Sequence, residues 1–232
     1  MTKPQNPRDR LIVALDFPSL DPALELVRKV SGHAGMFKIG KELFTREGPR
    51  AVQALTGLGE KVFLDLKYHD IPNTVGRAVD AAVALGASLI NVHASGGRKM
   101  MQAAAEAAEG RTAVIAVTVL TSLDDGDIKE AGLSGKVGDL VVRLTHLALD
   151  SGLDGVVAAP TDVARLRKEL GQDFLIVTPG VRPSGSSKDD QTRIATPAEA
   201  VRQGADYIVV GRPITQAEDP VEAADQIVGE MG

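Results

Sequence analysis

Two acids flank a lysine in one short stretch, as Asp65, Lys67 and Asp70. The apolar residues Val62, Phe63, Leu64 and Leu66 predict a strand, and a period of two puts Asp65 and Lys67 on the same face. Charges on a strand are costly unless they are paired or used. Flanking carboxylates favour the ammonium form of a lysine, so the stretch presents a proton donor beside acids. Taken alone, the stretch is more typical of a surface salt bridge, which contributes little stability.

The elements that must position this stretch alternate between strands and helices along the chain. Eight apolar runs predict strands at about residues 11–15, 36–40, 62–66, 88–93, 112–120, 154–158, 174–178 and 206–210. A helical segment follows each run, and the one after the second is predicted as continuous from about Glu42 to Leu55. Runs that are apolar without alternation are typical of a parallel sheet buried on both faces.

This alternation predicts an α/β fold, a single-domain (β/α)8 TIM barrel over residues 1–232, with residues 1–9 as a flexible N-terminal tail. The alternative is a doubly wound open sheet, which usually carries a glycine-rich turn after its first strand. The turn here is Asp16-Phe17-Pro18-Ser19, so the barrel is favoured.

A barrel would gather the polar residues at its strand ends around one mouth, where barrel active sites lie. These residues are Asp16, Lys38, Asp65, Lys67, His93, Thr121, Gly180, Gly211 and Arg212. Phosphate often binds after strands seven and eight, where Arg182 and Arg212 offer planar donor groups. The polar loop over residues 181–196 is a candidate lid for such a site.

Composition narrows the classes of function. With a formal net charge of −5, the chain lacks the broad basic footprint of a nucleic-acid or anionic-membrane binder. It has no cysteine, which excludes disulfides, thiolate chemistry and zinc–thiolate sites and is compatible with a reducing compartment. We expect no membrane span and no signal peptide, and a cytoplasmic location.

Several motifs at the predicted strand ends together resemble one known family. They are Phe37-Lys38-Ile39-Gly40, Asp65-Leu66-Lys67-Tyr68-His69-Asp70-Ile71-Pro72-Asn73-Thr74, Asn91-Val92-His93-Ala94-Ser95-Gly96-Gly97, Val119-Leu120-Thr121-Ser122, and Thr178-Pro179-Gly180-Val181-Arg182-Pro183. With Ala14-Leu15-Asp16 near the start and Gly211-Arg212-Pro213 near the end, the chain resembles orotidine 5′-monophosphate decarboxylases of the bacterial type. The resemblance covers nearly the whole chain.

The resemblance implies decarboxylation of orotidine 5′-monophosphate to uridine 5′-monophosphate, the last step of de novo pyrimidine synthesis, without a metal or organic cofactor. It implies that Lys67 protonates C6 of the ring and that Asp65 lies against the carboxylate that leaves. It also implies a homodimer in which Asp70 and Thr74 reach the neighbouring subunit's site.

The implied substrate-binding residues divide by the part of the nucleotide that each would hold. Asp16 and Lys38 would bind the ribose, and Lys38 would also join the charge network. Thr121 or Ser122 would contact the pyrimidine. The phosphate would be held by Arg182, Gln191, Gly211 and Arg212.

Three other readings of the chain remain open. One is a metal-dependent relative, such as a hexulose-phosphate synthase or keto-gulonate-phosphate decarboxylase, which also carries Asp-x-Lys-x-x-Asp but brings a glutamate where this chain has Lys38. Mg²⁺ prefers oxygen ligands, and Lys38 would repel it. The others are a phosphosugar isomerase or epimerase barrel, because fold alone does not determine chemistry, and a barrel that binds phosphoribosyl ligands without turnover.

Overall fold

The computed structural model of the chain describes residues 3–183 and 195–232. Eight parallel strands form a closed barrel in chain order, and β1 pairs with β8 to complete it. The strands are β1 (Leu11–Ala14), β2 (Met36–Gly40), β3 (Val62–Tyr68), β4 (Leu89–His93), β5 (Ala113–Val117), β6 (Gly155–Val157), β7 (Leu175–Thr178) and β8 (Tyr207–Val210). The predicted (β/α)8 barrel is therefore confirmed.

Helices alternate with the strands and pack around them. They are α1 (Pro7–Arg10), α2 (Leu20–Val30), α3 (Lys41–Glu47), α4 (Pro49–Gly57), α5 (Pro72–Ala84), α6 (Arg98–Ala108), α7 (Asp125–Glu130), α8 (Val137–Leu149), α9 (Pro160–Leu170), α10 (Pro197–Gln203), α11 (Arg212–Thr215) and α12 (Pro220–Glu230). A 3-10 turn, Ala94–Gly96, follows β4. No helix among these described elements is long and apolar enough to span a lipid bilayer.

Strand side chains divide between two apolar cores, as the period of two requires. One core lies between the strands and the surrounding helices. The other fills the barrel interior and consists of Ile12, Ala14, Met36, Phe63, Leu89, Ala113, Ile115, Leu175, Val177, Tyr207 and Val209. Two residues beyond Ala14, Met36, Phe63 and Leu89, the same inward positions hold Asp16, Lys38, Asp65 and Asn91. The apolar interior layer is thus the floor beneath a polar layer at the carboxyl ends of the strands.

Two segments differ from the sequence-based expectations. The helix expected over residues 42–55 is two helices, α3 and α4, because Gly48 adopts a φ of 61° between them and Pro49 starts the second. Strand β5 ends at Val117, three residues earlier than expected, and the Thr118 hydroxyl and backbone N–H both donate to the carbonyl of Val157. The acidic stretch after it forms α7, whose N-terminus has a capping box between Asp124 and Asp127.

Residues 3–10, before β1, pack against the barrel. Helix α1 begins at Pro7, inside the segment expected to be a tail, and the Asp9 backbone lies so near Gly35 that a Cβ there would be 2.5 Å from the Asp9 carbonyl oxygen. Lys3 pairs with the buried Asp206 at 3.2 Å. This segment therefore packs at the amino ends of the strands, on the side opposite the polar layer.

Candidate active site

A cavity of about 310 Å³ opens at the carboxyl ends of the strands. Eight of the residues predicted for the site line it: Asp16, Lys38, Asp65, Lys67, Thr121, Arg182, Gly211 and Arg212. They come from loops or strand ends of six different βα units, which only barrel closure brings together. The position matches that of active sites in (β/α)8 barrels.

Four charged side chains of alternating sign form a row on one wall of this cavity. Lys38 Nζ lies 3.1 Å from Asp16 Oδ1 and 3.5 Å from Asp65 Oδ2. Lys67 Nζ donates a hydrogen bond to Asp65 Oδ1 at 2.5 Å. Asp65 is 8% exposed and is therefore largely shielded from solvent. The Asp16 side chain, at the rim of the cavity, is 60% exposed. A buried charge is tolerated when opposite charges and hydrogen bonds surround it, as here.

The surroundings of Asp65 hold its carboxyl in the ionised form. Burial alone would raise its pKa, but the charges of Lys38 and Lys67 and the hydrogen bonds from Lys67 and Asn91 outweigh burial and lower the pKa below its ordinary value. A substrate group placed in the cavity therefore meets a fixed negative charge next to a fixed ammonium.

The backbone at Lys67 is in the left-handed region, with a φ of 55°. Strand β3 pairs with β4 at Leu64 and again at Tyr68, four residues later, while the β4 partners Ile90 and Val92 are two residues apart. The extra residues form a bulge that carries Lys67. Bulges next to active sites re-aim a side chain, and a lysine at positive φ is uncommon.

Asn91 on β4 is a site residue that the sequence analysis did not single out. Its side chain is fully buried, its Oδ1 accepts a hydrogen bond from the Lys67 backbone N–H at 2.8 Å, and its Nδ2 donates to Asp65 Oδ1 at 2.7 Å. A signal was present in the sequence, because a lone amide inside the apolar run Leu89-Ile90-Asn91-Val92 needs a hydrogen-bond partner when buried.

Gly40, at the end of β2, leaves the space in which two of the charges meet. A Cβ at this residue would lie 2.9 Å from Lys38 Nζ and 3.1 Å from Asp16 Oδ1. The absence of a side chain at Gly40 thus allows Lys38 to bridge from Asp65 to the rim.

The wall of the cavity at the ends of β7 and β8 carries the two arginines. Arg212 is the first residue of α11, directly after β8, and its side chain is exposed. Arg182 follows β7 and is 9% exposed, and its backbone N–H donates to the carbonyl of Ala195 at 3.0 Å. Planar guanidinium groups bind phosphate in two-point geometry, so this wall suits a phosphate monoester.

Two of the predicted site residues lie outside the cavity of this chain. Asp70 is exposed, and its Oδ1 accepts a hydrogen bond from the Ile71 backbone N–H at 2.6 Å. Thr74 is exposed in the first turn of α5. The expectation that two acids flank Lys67 is therefore met within one chain by Asp65 alone, because the backbone leaves the barrel after Tyr68. The predicted phosphate ligand Gln191, and most of the predicted lid, lie outside the described residues.

The histidines near the motif pair with each other. The rings of His69 and His93 are 5.5 Å apart between centroids. Burial first, and then the neighbouring cationic groups, lower the pKa of His93.

Over the described parts of the chain, no three His, Asp or Glu side chains gather as a set of metal ligands.

Comparison with known proteins agrees with this geometry. The model of the "Orotidine 5'-phosphate decarboxylase / HUMPS family" matches residues 9–227. Orotidine 5'-phosphate decarboxylase of Halorhodospira halophila is 55% identical over 225 residues, covering 96% of this chain and 95% of that protein. The enzyme of the same name from Saccharophagus degradans is 51% identical over 228 residues, covering 97% and 96%.

Solved structures show the same relationship in three dimensions. The crystal structure of orotidine 5'-phosphate decarboxylase from Lactobacillus acidophilus superimposes with a TM-score of 0.86 at 38% identity, covering 96% of this chain and 98% of that one. An uncharacterized conserved protein from Geobacillus kaustophilus superimposes with a TM-score of 0.85 at 40% identity, covering 96% and 100%. The family model and these relatives extend over nearly all of the sequence, and the chain therefore belongs to the orotidine 5'-phosphate decarboxylase / HUMPS family.

Proposed function

We propose that the chain is a carboxy-lyase that converts orotidine 5′-monophosphate to uridine 5′-monophosphate, the last step of de novo pyrimidine synthesis. The observation that carries this proposal is the row of alternating charges, Asp16, Lys38, Asp65 and Lys67, in a cavity that also has two arginines. Relatives with 51% and 55% identity carry the name of this enzyme.

The row suits a reaction in which charge appears on carbon. The bond between C6 of the pyrimidine and its carboxylate breaks, CO₂ leaves, and the electron pair stays on C6, where the ring offers no electron sink. Lys67 then gives a proton to C6. An ammonium about 4 Å from the developing charge contributes roughly 4 kcal/mol at an effective dielectric constant of about 20.

The remaining stabilisation would come from parts of the substrate that do not react. Enzymes lower barriers by about 8–23 kcal/mol, which one lysine cannot supply. Arg182, Arg212 and the backbone at Gly211 would hold the phosphate, Asp16 and Lys38 the ribose, and Thr121 the pyrimidine. Binding energy from these remote groups holds C6 against Lys67 and the carboxylate against Asp65.

Asp65 would also act on the ground state, by repelling the substrate carboxylate. The surroundings of Asp65 lower the pKa of its buried carboxyl, so the substrate carboxylate would approach an ionised group. Asp65→Asn should then bind a carboxylate-bearing, unreactive analogue more tightly than the parent does. Equal or weaker binding by the variant would contradict the repulsion.

A metal-dependent phosphosugar decarboxylase or aldolase is the alternative within the same superfamily. The position of Lys38 argues against it, because its ammonium lies between Asp16 and Asp65, where a bound cation would have to lie. We therefore propose a reaction without a metal or organic cofactor.

The decisive assay follows the loss of ultraviolet absorbance as purified protein acts on orotidine 5′-monophosphate in EDTA. We expect turnover by the parent and by Lys61→Ala, and none by Lys67→Ala. Lys61 is the matched control, because it is exposed just before β3, at the end of the strand opposite Lys67. A folded parent that is inactive here but acts on sugar phosphates with Mg²⁺ would contradict the proposal.

A homodimer that shares its sites is a further part of the proposal. Asp70 and Thr74 are exposed, and Ile71 between them is 66% exposed, which suits a surface covered by a second copy. Mixing inactive Lys67→Ala and Asp70→Ala chains should then restore about one quarter of the parent activity, since one site in each mixed dimer is intact. Mixtures that remain inactive although mixed dimers form would exclude shared sites.

We also propose that the barrel is the single domain of the chain and that the protein is cytoplasmic. Strands and helices from α1 to α12 extend over residues 7–230, and the interior core receives residues from seven of the eight strands beside the β6 residue Val157. One cooperative unfolding transition is expected, and two separate transitions would contradict a single domain. Fractionation of cells of the source organism tests the location.

A further inference from the structure

The bulge in β3 leaves a backbone N–H group inside the barrel without a strand partner. Between Leu64 and Tyr68 the ladder to β4 is interrupted, so the backbone N–H of Lys67 has no β4 carbonyl opposite it. A buried N–H without an acceptor costs free energy comparable to a lost hydrogen bond. A side chain from β4, Asn91, supplies the acceptor with its Oδ1 at 2.8 Å.

The other end of the same amide reaches the charge row. Asn91 Nδ2 donates to Asp65 Oδ1, the oxygen that also accepts from Lys67 Nζ. Only one orientation of the amide is possible, because rotating it by half a turn would place a donor against the Lys67 N–H and an acceptor against a carboxylate. Asn91 therefore holds both the backbone and the ion-pair partner of Lys67 with two atoms of one rigid group.

No apolar residue of similar size could take over these two contacts. Asn91 is fully buried, and its β4 neighbours Leu89 and Ile90 belong to the interior and outer cores, respectively. A leucine would fit the volume but would leave the Lys67 N–H unsatisfied next to an ionised carboxylate. The bulge would then relax toward regular pairing, and the Lys67 side chain would leave its place in the cavity.

We infer that Asn91 is a positioning residue of this site: it holds Lys67 in the left-handed bulge and orients the Asp65 carboxylate beside it, without touching the substrate. This inference rests on the proposed function. Its consequence is that Asn91 determines the rate of the chemical step and leaves nucleotide affinity nearly unchanged, since the phosphate and ribose contacts lie on other strands.

Two variants separate the contacts of Asn91. Asn91→Leu removes both. Asn91→Asp keeps an acceptor for the Lys67 N–H but places a second carboxyl group against Asp65 in place of the amide donor. Thr112→Val is the matched control, because Thr112 is also a buried polar residue, bonded through its hydroxyl to the Ala87 carbonyl at 2.7 Å near the opposite end of the barrel.

The measurement is kcat and KM for orotidine 5′-monophosphate as a function of pH, for the parent and the three variants. For Asn91→Leu we expect kcat to fall about 10- to 100-fold, as for misplacement of a reacting group by roughly 1 Å, with KM within about threefold of the parent. In both Asn91 variants the acidic limb of the kcat profile should move to higher pH. In Asn91→Leu, ionised Asp65 loses a hydrogen bond that favours its charged form, and in Asn91→Asp a second carboxyl group beside Asp65 disfavours that form. Thr112→Val should retain the parent's kcat and acidic limb.

The outcomes distinguish the inference from the proposed function. A folded Asn91→Leu with the kcat and acidic limb of the parent would overturn the positioning role. If Asn91→Leu fails to fold, Asn91→Asp decides, and an unshifted acidic limb in that variant overturns the role equally. Equal losses in Asn91→Leu and Thr112→Val would show that Asn91 contributes only stability. An inactive parent would overturn the proposed function, and the inference with it.

Discussion

Lys67, the proposed proton donor, has a backbone conformation that costs free energy. Its φ of 55° places a residue with a Cβ in the left-handed region, at a cost of about 1–2 kcal/mol. Replacing it by alanine keeps the Cβ and this cost, whereas glycine relieves it. Glycine also gives the unfolded chain more freedom, which removes about 0.4–1 kcal/mol of stability. We therefore expect Lys67→Gly to be more stable than Lys67→Ala by about 0.5–1 kcal/mol.

The assay is thermal unfolding of the two variants side by side, together with turnover. For a chain of this length the expected difference corresponds to a Tm about 1–4 °C higher for Lys67→Gly. Both variants should lose kcat by at least about 10³-fold, because a charge contribution of roughly 4 kcal/mol and the proton donor are both gone. Stability and activity thus change independently at this one residue.

Two matched pairs calibrate the comparison. Glu109 is the other described residue with a side chain at positive φ, 50°, and glycine should again be more stable than alanine there. Asp80 lies inside α5, where glycine should be less stable than alanine by about 1 kcal/mol. If glycine at residue 67 were less stable than alanine, as expected at residue 80, while glycine at residue 109 were more stable, the left-handed conformation of Lys67 would be refuted. The account of the bulge would be refuted with it.

Three further outcomes follow from the geometry of the cavity. Gly40→Ala should lower kcat about tenfold without unfolding the protein, since its Cβ would lie 2.9 Å from Lys38 Nζ, and a kcat equal to the parent's would show that Lys38 can move freely. Arg212→Ala should raise KM about 10- to 100-fold, the worth of a charge-assisted hydrogen bond of about 1.5–3 kcal/mol, and an unchanged KM would remove Arg212 from the phosphate site. The lowered pKa of Asp65 stabilises the fold above the unfolded-state pKa of about 3.9, and this contribution is lost as pH falls through the folded-state pKa. Urea unfolding from pH 6 downward should therefore show a shallower acid loss of stability in Asp65→Asn than in the parent, and parallel curves would contradict the shifted carboxyl.

Most of the architecture could be predicted from the sequence, because its signals are local. Unbroken apolar runs that each end in a polar residue predict buried parallel strands, and the period of two correctly placed Asp65 and Lys67 on one face. The strand order, and the position of Lys38 next to Asp65, then follow from barrel closure. The prediction of one helix over residues 42–55 was wrong, because a pattern of apolar residues does not reveal that Gly48 adopts a positive φ.

Only the tertiary structure shows how residues of different strands lie relative to one another. The bulge that gives Lys67 its left-handed backbone conformation depends on the pairing of β3 with β4. These two strands are separated along the chain, so a local sequence pattern does not reveal how they pair. The role of Asn91 depends on the same pairing, since its two partners are 24 and 26 residues away along the chain. The sequence predicts Asp70 as a second acidic neighbour of Lys67, but Asp70 lies on the surface of this chain. The sequence by itself thus determined which chemical groups the protein has and on which strands they stand, whereas their distances, burial and charge balance arise only when the barrel closes.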